Sequence, residues 1–205
     1  MLNLLDGIKS RRSVRKFQAS PIPGELVRDV LLAAGWAPSA HNAQPWWFIV
    51  LEEASSKRRL AEAMAEAWAA DITRDGSKVD AETQKARVER FASAPALILA
   101  CSTMDEMAKQ PDVERKGVER DLAVQSLAAA VENMLLAAHI KGLGACWFCA
   151  PAFCKGTVRK ALGIPADVEP QALVALGYPA EEPSAPTRKP LGEYCFRDKW
   201  GKKLK

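Results

Sequence analysis

Trp46-Trp47-Phe48-Ile49-Val50-Leu51 is apolar throughout, with no alternation between apolar and polar positions. A run of that length and pattern reads as a buried strand with both faces covered. Working outward, Ala96 to Cys101, Ala145 to Phe148 and Ala172 to Gly177 read as three further strands. Residues 24–36 place Leu26, Val30, Leu31 and Ala34 at helical spacing, and Pro38 stops that helix. Two helices fill the long first crossover: residues 55–70, then a charged one ending at Phe91, with a polar break over 71–79 that carries Asp75-Gly76. Residues 102–117 are mixed, with Pro111 against a single long helix, and this stretch and the 71–79 break are expected to be mobile loops near a site. The longest helix runs from about Glu119 to Lys141, with Leu127, Val131, Met134, Leu135 and Ala138 recurring every three or four residues, and Gly142 and Gly144 end it. Its alanines permit close packing against another helix, of this or a second subunit. A short helix follows over 155–162. The proline-rich stretch from Pro179 reads as an extended arm, with a short possible strand at 191–196.

The chain has 205 residues, the size of one domain, so a single unit is expected over 1–205, with 179–205 as a C-terminal arm and basic tail. Formal net charge is +4, but the final RDKWGKKLK carries five bases and one acid, which leaves 24 of each in the rest (29 − 5 and 25 − 1). A neutral body with a basic tail argues against a nucleic-acid partner. No apolar run approaches the roughly 20 residues that cross a bilayer, and the start lacks a secretory pattern, so no membrane partner and a cytoplasmic location are expected. Five cysteines, an odd number in a chain with room for a core, point to reduced thiols.

No GxGxxG follows a strand, no GxxxxGK[ST] occurs, and His41 and His139 form no HExxH or other ligand spacing. Two features remain. Arg11, Arg12 and Arg15 stand far in sequence from a second basic pair, Arg188 and Lys189; these are either solvated patches or the two halves of a clamp on one phosphate monoester. Pro38-Ser39-Ala40-His41-Asn42-Ala43-Gln44-Pro45 is a proline-bounded loop leading into a strand. Its two amides either stitch the loop to itself or offer a donor and acceptor pair of the kind a flavin edge takes.

Together Arg11-Arg12-Ser13-Val14-Arg15-Lys16-Phe17 and Pro38 to Trp46 resemble the nitroreductase family of FMN enzymes. The resemblance continues through Ala129 to Ala138, Gly142-Leu143-Gly144-Ala145-Cys146-Trp147, Leu176-Gly177-Tyr178-Pro179 and Arg188-Lys189. It implies an α+β fold, a central mostly antiparallel sheet flanked by helices, and an intertwined homodimer with two FMN sites at the interface. It further implies that Arg11, Arg12, Ser13 and Arg15 hold phosphate and ribityl oxygens with Arg188 and Lys189. Pro38, Ser39, Ala40 and Asn42 approach the same flavin from the other subunit, and the arm wraps the partner. Hydride would pass from NADH or NADPH through FMN to a small electron-poor acceptor such as a nitroaromatic or quinone, with no catalytic acid from the protein.

The common bacterial members carry Pro-Ile-Glu-Gly-Phe where this chain has Trp147-Phe148-Cys149-Ala150-Pro151-Ala152-Phe153. That departure looks more like the branch containing the flavin domain of coenzyme-F420 ligase, with the backbone of Cys149, Ala150 and Pro151 still covering one ring face. It keeps open a specialised flavin enzyme (dehalogenation, flavin fragmentation or F420-type metabolism), beside a non-enzymatic FMN carrier or sensor. Cys146-x-x-Cys149 with Cys154 has partial metal-ligand spacing but no second CxxC, so no metal is expected; the thiols read as core, with a redox or substrate-facing role for Cys149 as the alternative. Trp68 and Phe91 are either core or part of a substrate lid.

Overall fold

The computed structural model describes residues 3–204; Met1, Leu2 and Lys205, the last residue of the basic tail, lie outside it. Strands β1 (Trp46–Leu51), β2 (Ala96–Ser102), β3 (Gly144–Phe148) and β4 (Glu169–Gly177) form one open sheet in the order β1-β2-β4-β3, every pairing antiparallel. Helices α1 (Leu4–Ser10), α2 (Gly24–Gly35), α3 (Ala54–Arg74), α4 (Ala81–Ala92), α5 (Val113–Ile140), α6 (Ala150–Phe153) and α7 (Lys155–Leu162) surround it.

The continuous apolarity of β2 and β4 follows from their central place. Side chains alternate across a strand, so Ala96, Ile98 and Ala100 join α2 and α5 in one core, while Leu97, Leu99 and Cys101 join α3, α4 and α7 in the other. Strand β4 divides likewise: Ala172, Val174 and Leu176 on the first side, Leu173 and Ala175 on the second. Each fully buried Leu or Ile contributes about 1.5–3 kcal/mol, so the two central strands carry much of the stability.

Four expectations are corrected. Strand β1 is an edge strand and not covered on both faces: it pairs only with β2, and Trp47 is exposed. Helix α3 runs through the first half of the anticipated break and ends at Arg74, where Asp75 caps it and Gly76 takes a φ of +85°. Helix α5 begins at Val113, inside the stretch expected to be a loop; Pro111 lies just outside, and the Asp112 carboxylate accepts the Arg115 N–H at 2.8 Å as N-cap. Residues 191–196 form no strand of the sheet. Leu191–Glu193 is a 3-10 turn, and Phe196 bridges only to Lys203, in a short hairpin where its ring meets Trp200 at 4.7 Å.

Helix α5 is long and apolar enough by composition to span a bilayer, which the sequence reading did not anticipate. Its Leu127, Ala130, Val131, Met134, Leu135 and Ala138 lie in the core against α2 and the sheet, which accounts for that apolarity. Two segments distant in sequence lie side by side at the β3–β4 end. Val14 N–H donates to Ala145 O (3.0 Å), Gln18 N–H to Tyr178 O (2.9 Å) and Ala180 N–H to Lys16 O (2.9 Å). The Glu181 carboxylate accepts the Arg15 and Lys16 N–H groups at 2.7 and 3.1 Å, fixing the start of the arm.

Candidate active site

Helix α1 stops at Ser10, and residues 11–17 then run extended beside β3. They approach closely because Gly144 has no side chain: a Cβ there would stand 2.8 Å from Val14 Cβ and Cγ1. The segment carries four basic side chains with different uses. Arg12 Nη1 donates to the Lys9 and Arg11 carbonyls at 2.7 and 2.9 Å, closing the end of α1. Arg15 makes one side-chain bond, to Ser13 O at 3.3 Å, and Arg11 meets a carboxylate only at 3.8 Å, from half-exposed Glu132. Lys16 sits exposed on the far side of this strand, its N–H on Glu181.

The field of these cations is visible in their neighbours. Burial pushes the Cys146 thiol up, and Arg15, Ser13, Arg11 and Arg90 oppose that shift, so the three guanidinium charges lie within electrostatic reach of this thiol on β3. His139, whose Nε2 lies 2.7 Å from Ser10 Oγ, is pushed below the ordinary imidazole range by burial and then by Arg11 and Arg12. The unfolded ring therefore takes up a proton first, and the folded protein loses stability as pH falls from the ordinary imidazole range through the folded value. An anion bound between the arginines cancels part of that field, so His139 is expected to titrate at higher pH once phosphate or FMN is bound. Imidazole 15N shifts followed against pH, with and without ligand, check this, and a titration unmoved by saturating ligand would place the anion elsewhere.

A cleft of about 580 Å³ opens on the α3–α4 side of the sheet and reaches the end of β3. The Arg87 guanidinium lies 3.8 Å over the Trp68 ring, and Phe91 meets Phe148 edge-on at 5.1 Å between centroids. Phe91 is buried in the core, so it is the floor of the cleft and not a cover; Trp68 stands on the wall. Cys149 and Ala150 line the mouth, Cys149 exposed, with Pro151 buried behind them. Burial lowers the Arg87 pKa, and the neighbouring Arg90 charge lowers it further. Among the described residues, no carboxylate comes within ion-pair distance of Arg87 or Arg90. Sequence reasoning missed both. A pair three residues apart on a charged helix looks like any solvated face, and only the packing of α4 on α3 places half-buried Arg87 and exposed Arg90 along the cleft.

The 38–44 loop lies apart from both the arginine segment and the cleft within one chain. It is stitched locally: Ser39 Oγ accepts the Gln44 N–H at 3.0 Å, and the Ala40 N–H donates to Ser126 Oγ of α5 at 3.1 Å. His41, Asn42 and Gln44 all have positive φ, from +46° to +57°, an unusual density of left-handed residues without a glycine. A second, smaller pocket beside the arginine segment is lined by Arg11, Arg12, His139, Gly144 and Glu181; Arg188 and Lys189 are exposed in the arm and line neither it nor the aromatic cleft.

The donor set suits a phosphate ester with a flat ring. Arg11 and Arg12 line a pocket on one side of β3, with Ser13 and Arg15 next to them in the chain, and Arg90 lines the aromatic-walled cleft that reaches the end of that strand. The Nitroreductase family profile matches residues 8–178. A Methanothermobacter thermautotrophicus protein, provisionally named as an NADH dehydrogenase/NAD(P)H nitroreductase, is 33% identical over 185 residues, covering 89% of this chain and 80% of its own. A Desulfovibrio desulfuricans protein solved in complex with FMN and provisionally named a nitroreductase aligns with TM-score 0.74 at 28% identity, over 98% of this chain and 99% of that one. A BluB-like flavoprotein of Clostridium difficile 630 aligns with TM-score 0.79 at 26% identity, over 97% and 100%.

Proposed function

Because the chain belongs to the nitroreductase family, we propose that it is an FMN-dependent oxidoreductase carrying hydride from NADH or NADPH to a small electron-poor acceptor such as a nitroaromatic or quinone. The observation that supports this most directly is the arginine segment laid against β3, with Arg11 and Arg12 lining a pocket there while an aromatic cleft reaches the other end of the same strand. When bound, FMN supplies the two-electron carrier between nicotinamide and acceptor. Arg11, Arg12, Ser13 and Arg15 hold the phosphate and ribityl oxygens, and Arg188 and Lys189 close on the phosphate from the arm. The backbone of Cys149, Ala150 and Pro151 covers one ring face. Arg90, which lines the cleft, would oppose the negative charge that FMN gains on reduction.

The protein is a cytoplasmic homodimer in this reading, with Pro38, Ser39, Ala40 and Asn42 of each subunit completing the other's site and the 179–205 arm wrapping the partner. Two features support it. The 38–42 loop is stitched by its own hydrogen bonds yet lines neither the aromatic cleft nor the pocket beside the arginine segment, and the prolines of the arm keep it extended at low ordering cost. The departure at Trp147–Phe153 and the likeness to a BluB-like flavoprotein support a second reading, a specialised flavin enzyme of another acceptor chemistry.

Anaerobic rapid mixing of FMN-loaded protein with NADH and, separately, with NADPH tests the assignment through the visible absorbance of oxidised flavin. Fast bleaching by one of them is the expected result. Stable oxidised flavin with both would sink the nicotinamide-dependent activity in favour of a carrier or sensor.

A further inference from the structure

Glu119, near the start of α5, is a buried carboxylate that the chemistry above does not use. Its side chain is 7% exposed. Gln110 Nε2 donates to Oε1 at 3.0 Å, while Oε2 is fully enclosed and accepts no hydrogen bond. Among the described residues, the charged partner nearest that oxygen is His41 Nε2, 3.4 Å away across the gap between α5 and the 38–44 loop. A buried carboxylate oxygen without a donor costs free energy unless a polar or charged partner turns to it. Here the partner is held by a left-handed backbone at His41, φ +57°, and by the Ala40 N–H bond to Ser126. Strain of that kind persists where the surroundings over-determine it, and it clusters where a side chain must be aimed. The ring is aimed outward: half of the His41 side chain is open to solvent.

We propose that His41 is the proton donor to the electron acceptor and that Glu119 is its positioning residue. This rests on the reading that the 38–42 loop faces the flavin of the second subunit. From 3.4 Å a small turn of the ring gives the Nε2–H to Glu119 Oε2, and Glu119 then balances the charge when Nδ1 also carries a proton, leaving the Nδ1–H directed out of the loop. A quinone that receives a hydride equivalent at one oxygen is left with negative charge on the other. His41 gives that oxygen its Nδ1 proton: the N–H bond breaks, the O–H bond forms, and a neutral hydroquinone leaves. The ring then regains a proton from water at its exposed face. The acceptor class that depends on this device is therefore the quinones and others whose reduced form must gain a proton as well as a hydride. An acceptor of electrons alone, such as ferricyanide, bypasses it.

His41→Asn is the variant of choice because Asn tolerates a positive φ, and Glu119→Gln keeps both the volume and an acceptor for Gln110. General acid catalysis by a positioned side chain is worth about 100-fold or more. His41→Asn should accordingly slow quinone reduction by about that factor, and Glu119→Gln by roughly tenfold. Ferricyanide reduction and the rate of flavin bleaching by nicotinamide should stay near parental values in both. A quinone rate within about twofold of the parent, or an equal loss with ferricyanide, would overturn the proposal. Failure of nicotinamide to bleach the parent would instead overturn the functional reading beneath it. A readout independent of turnover is the 15N spectrum of the two imidazoles, assigned with His139→Gln. The His41 Nε2–H should be protected from exchange in the parent and lose that protection in Glu119→Gln, and unchanged exchange would remove the positioning role.

Discussion

The double substitution Arg11→Ala with Arg15→Ala is expected to strip the protein of FMN while leaving its fold intact. These two are chosen over Arg12 because Arg12 is already committed to the Lys9 and Arg11 carbonyls, so its loss would disturb the end of α1. Arg15 bonds only Ser13 O, and Arg11 has only the distant Glu132. Their donors are thus available to a phosphate, and both charges act on the Cys146 thiol, which places them on the same side of the protein. Hydrogen bonds to a charged group are worth about 1.5–3 kcal/mol each, so losing two weakens FMN binding by roughly 1000-fold at the middle of that range. Fluorescence titration measures it, with riboflavin as control. Riboflavin has no phosphate and should bind parent and variant alike, weakly. A variant that still holds FMN within about threefold of the parent would move the phosphate elsewhere.

Gly144→Ala is expected to have the second largest effect, on stability and flavin affinity together. The new Cβ would lie 2.8 Å from Val14 Cβ and Cγ1 and 3.0 Å from Cγ2. A rotamer change cannot relieve a contact that includes Cβ, and Val14 cannot retreat without losing its N–H bond to Ala145 O. Overpacking of this kind costs about 1–3 kcal/mol, which in a chain this long lowers Tm by about 3–10 °C. Because Val14 lies between the arginines, the displacement should also weaken FMN binding. Gly117→Ala, on an open face of α5 with nothing within 4 Å, is the control of opposite sign, since alanine is the better helix former by about 1 kcal/mol. Unchanged melting in Gly144→Ala would mean that residues 11–17 do not press on β3 as described.

Much of the fold was legible because its signals are local. The runs at 96–101 and 172–177 are apolar at every position because alternate residues serve two cores, and the sequence shows the apolarity directly. The same pattern misled at 46–51, since a run of large apolar residues does not say whether a second strand lies beyond it. The early start of α5 had a signal that was passed over: Asp112 followed by Glu114 is an N-cap with an acidic first turn, and Pro111 belongs outside it. At the site, the arginine segment stood out because its residues are adjacent in sequence. Arg87, Arg90, Glu119 and Glu181 did not, because their meaning comes from partners that only the folded chain brings near. The left-handed backbone of His41, Asn42 and Gln44 was equally hidden, as no glycine marks it.

The pairing of residues 14–18 with 145 and 178–181 fixes when this protein becomes able to bind anything. On the ribosome the arginine segment emerges among the first residues, and the strand and carboxylate that shape it emerge more than a hundred residues later. Contacts that close so long a loop form late, after the loop's entropy has been offset by the cores on either side of the sheet. Until then the nascent chain exposes a cluster of positive charge with no built site around it. In the proposed reading, FMN capture therefore waits until the first residues of the chain have met a strand and a carboxylate made more than a hundred residues later.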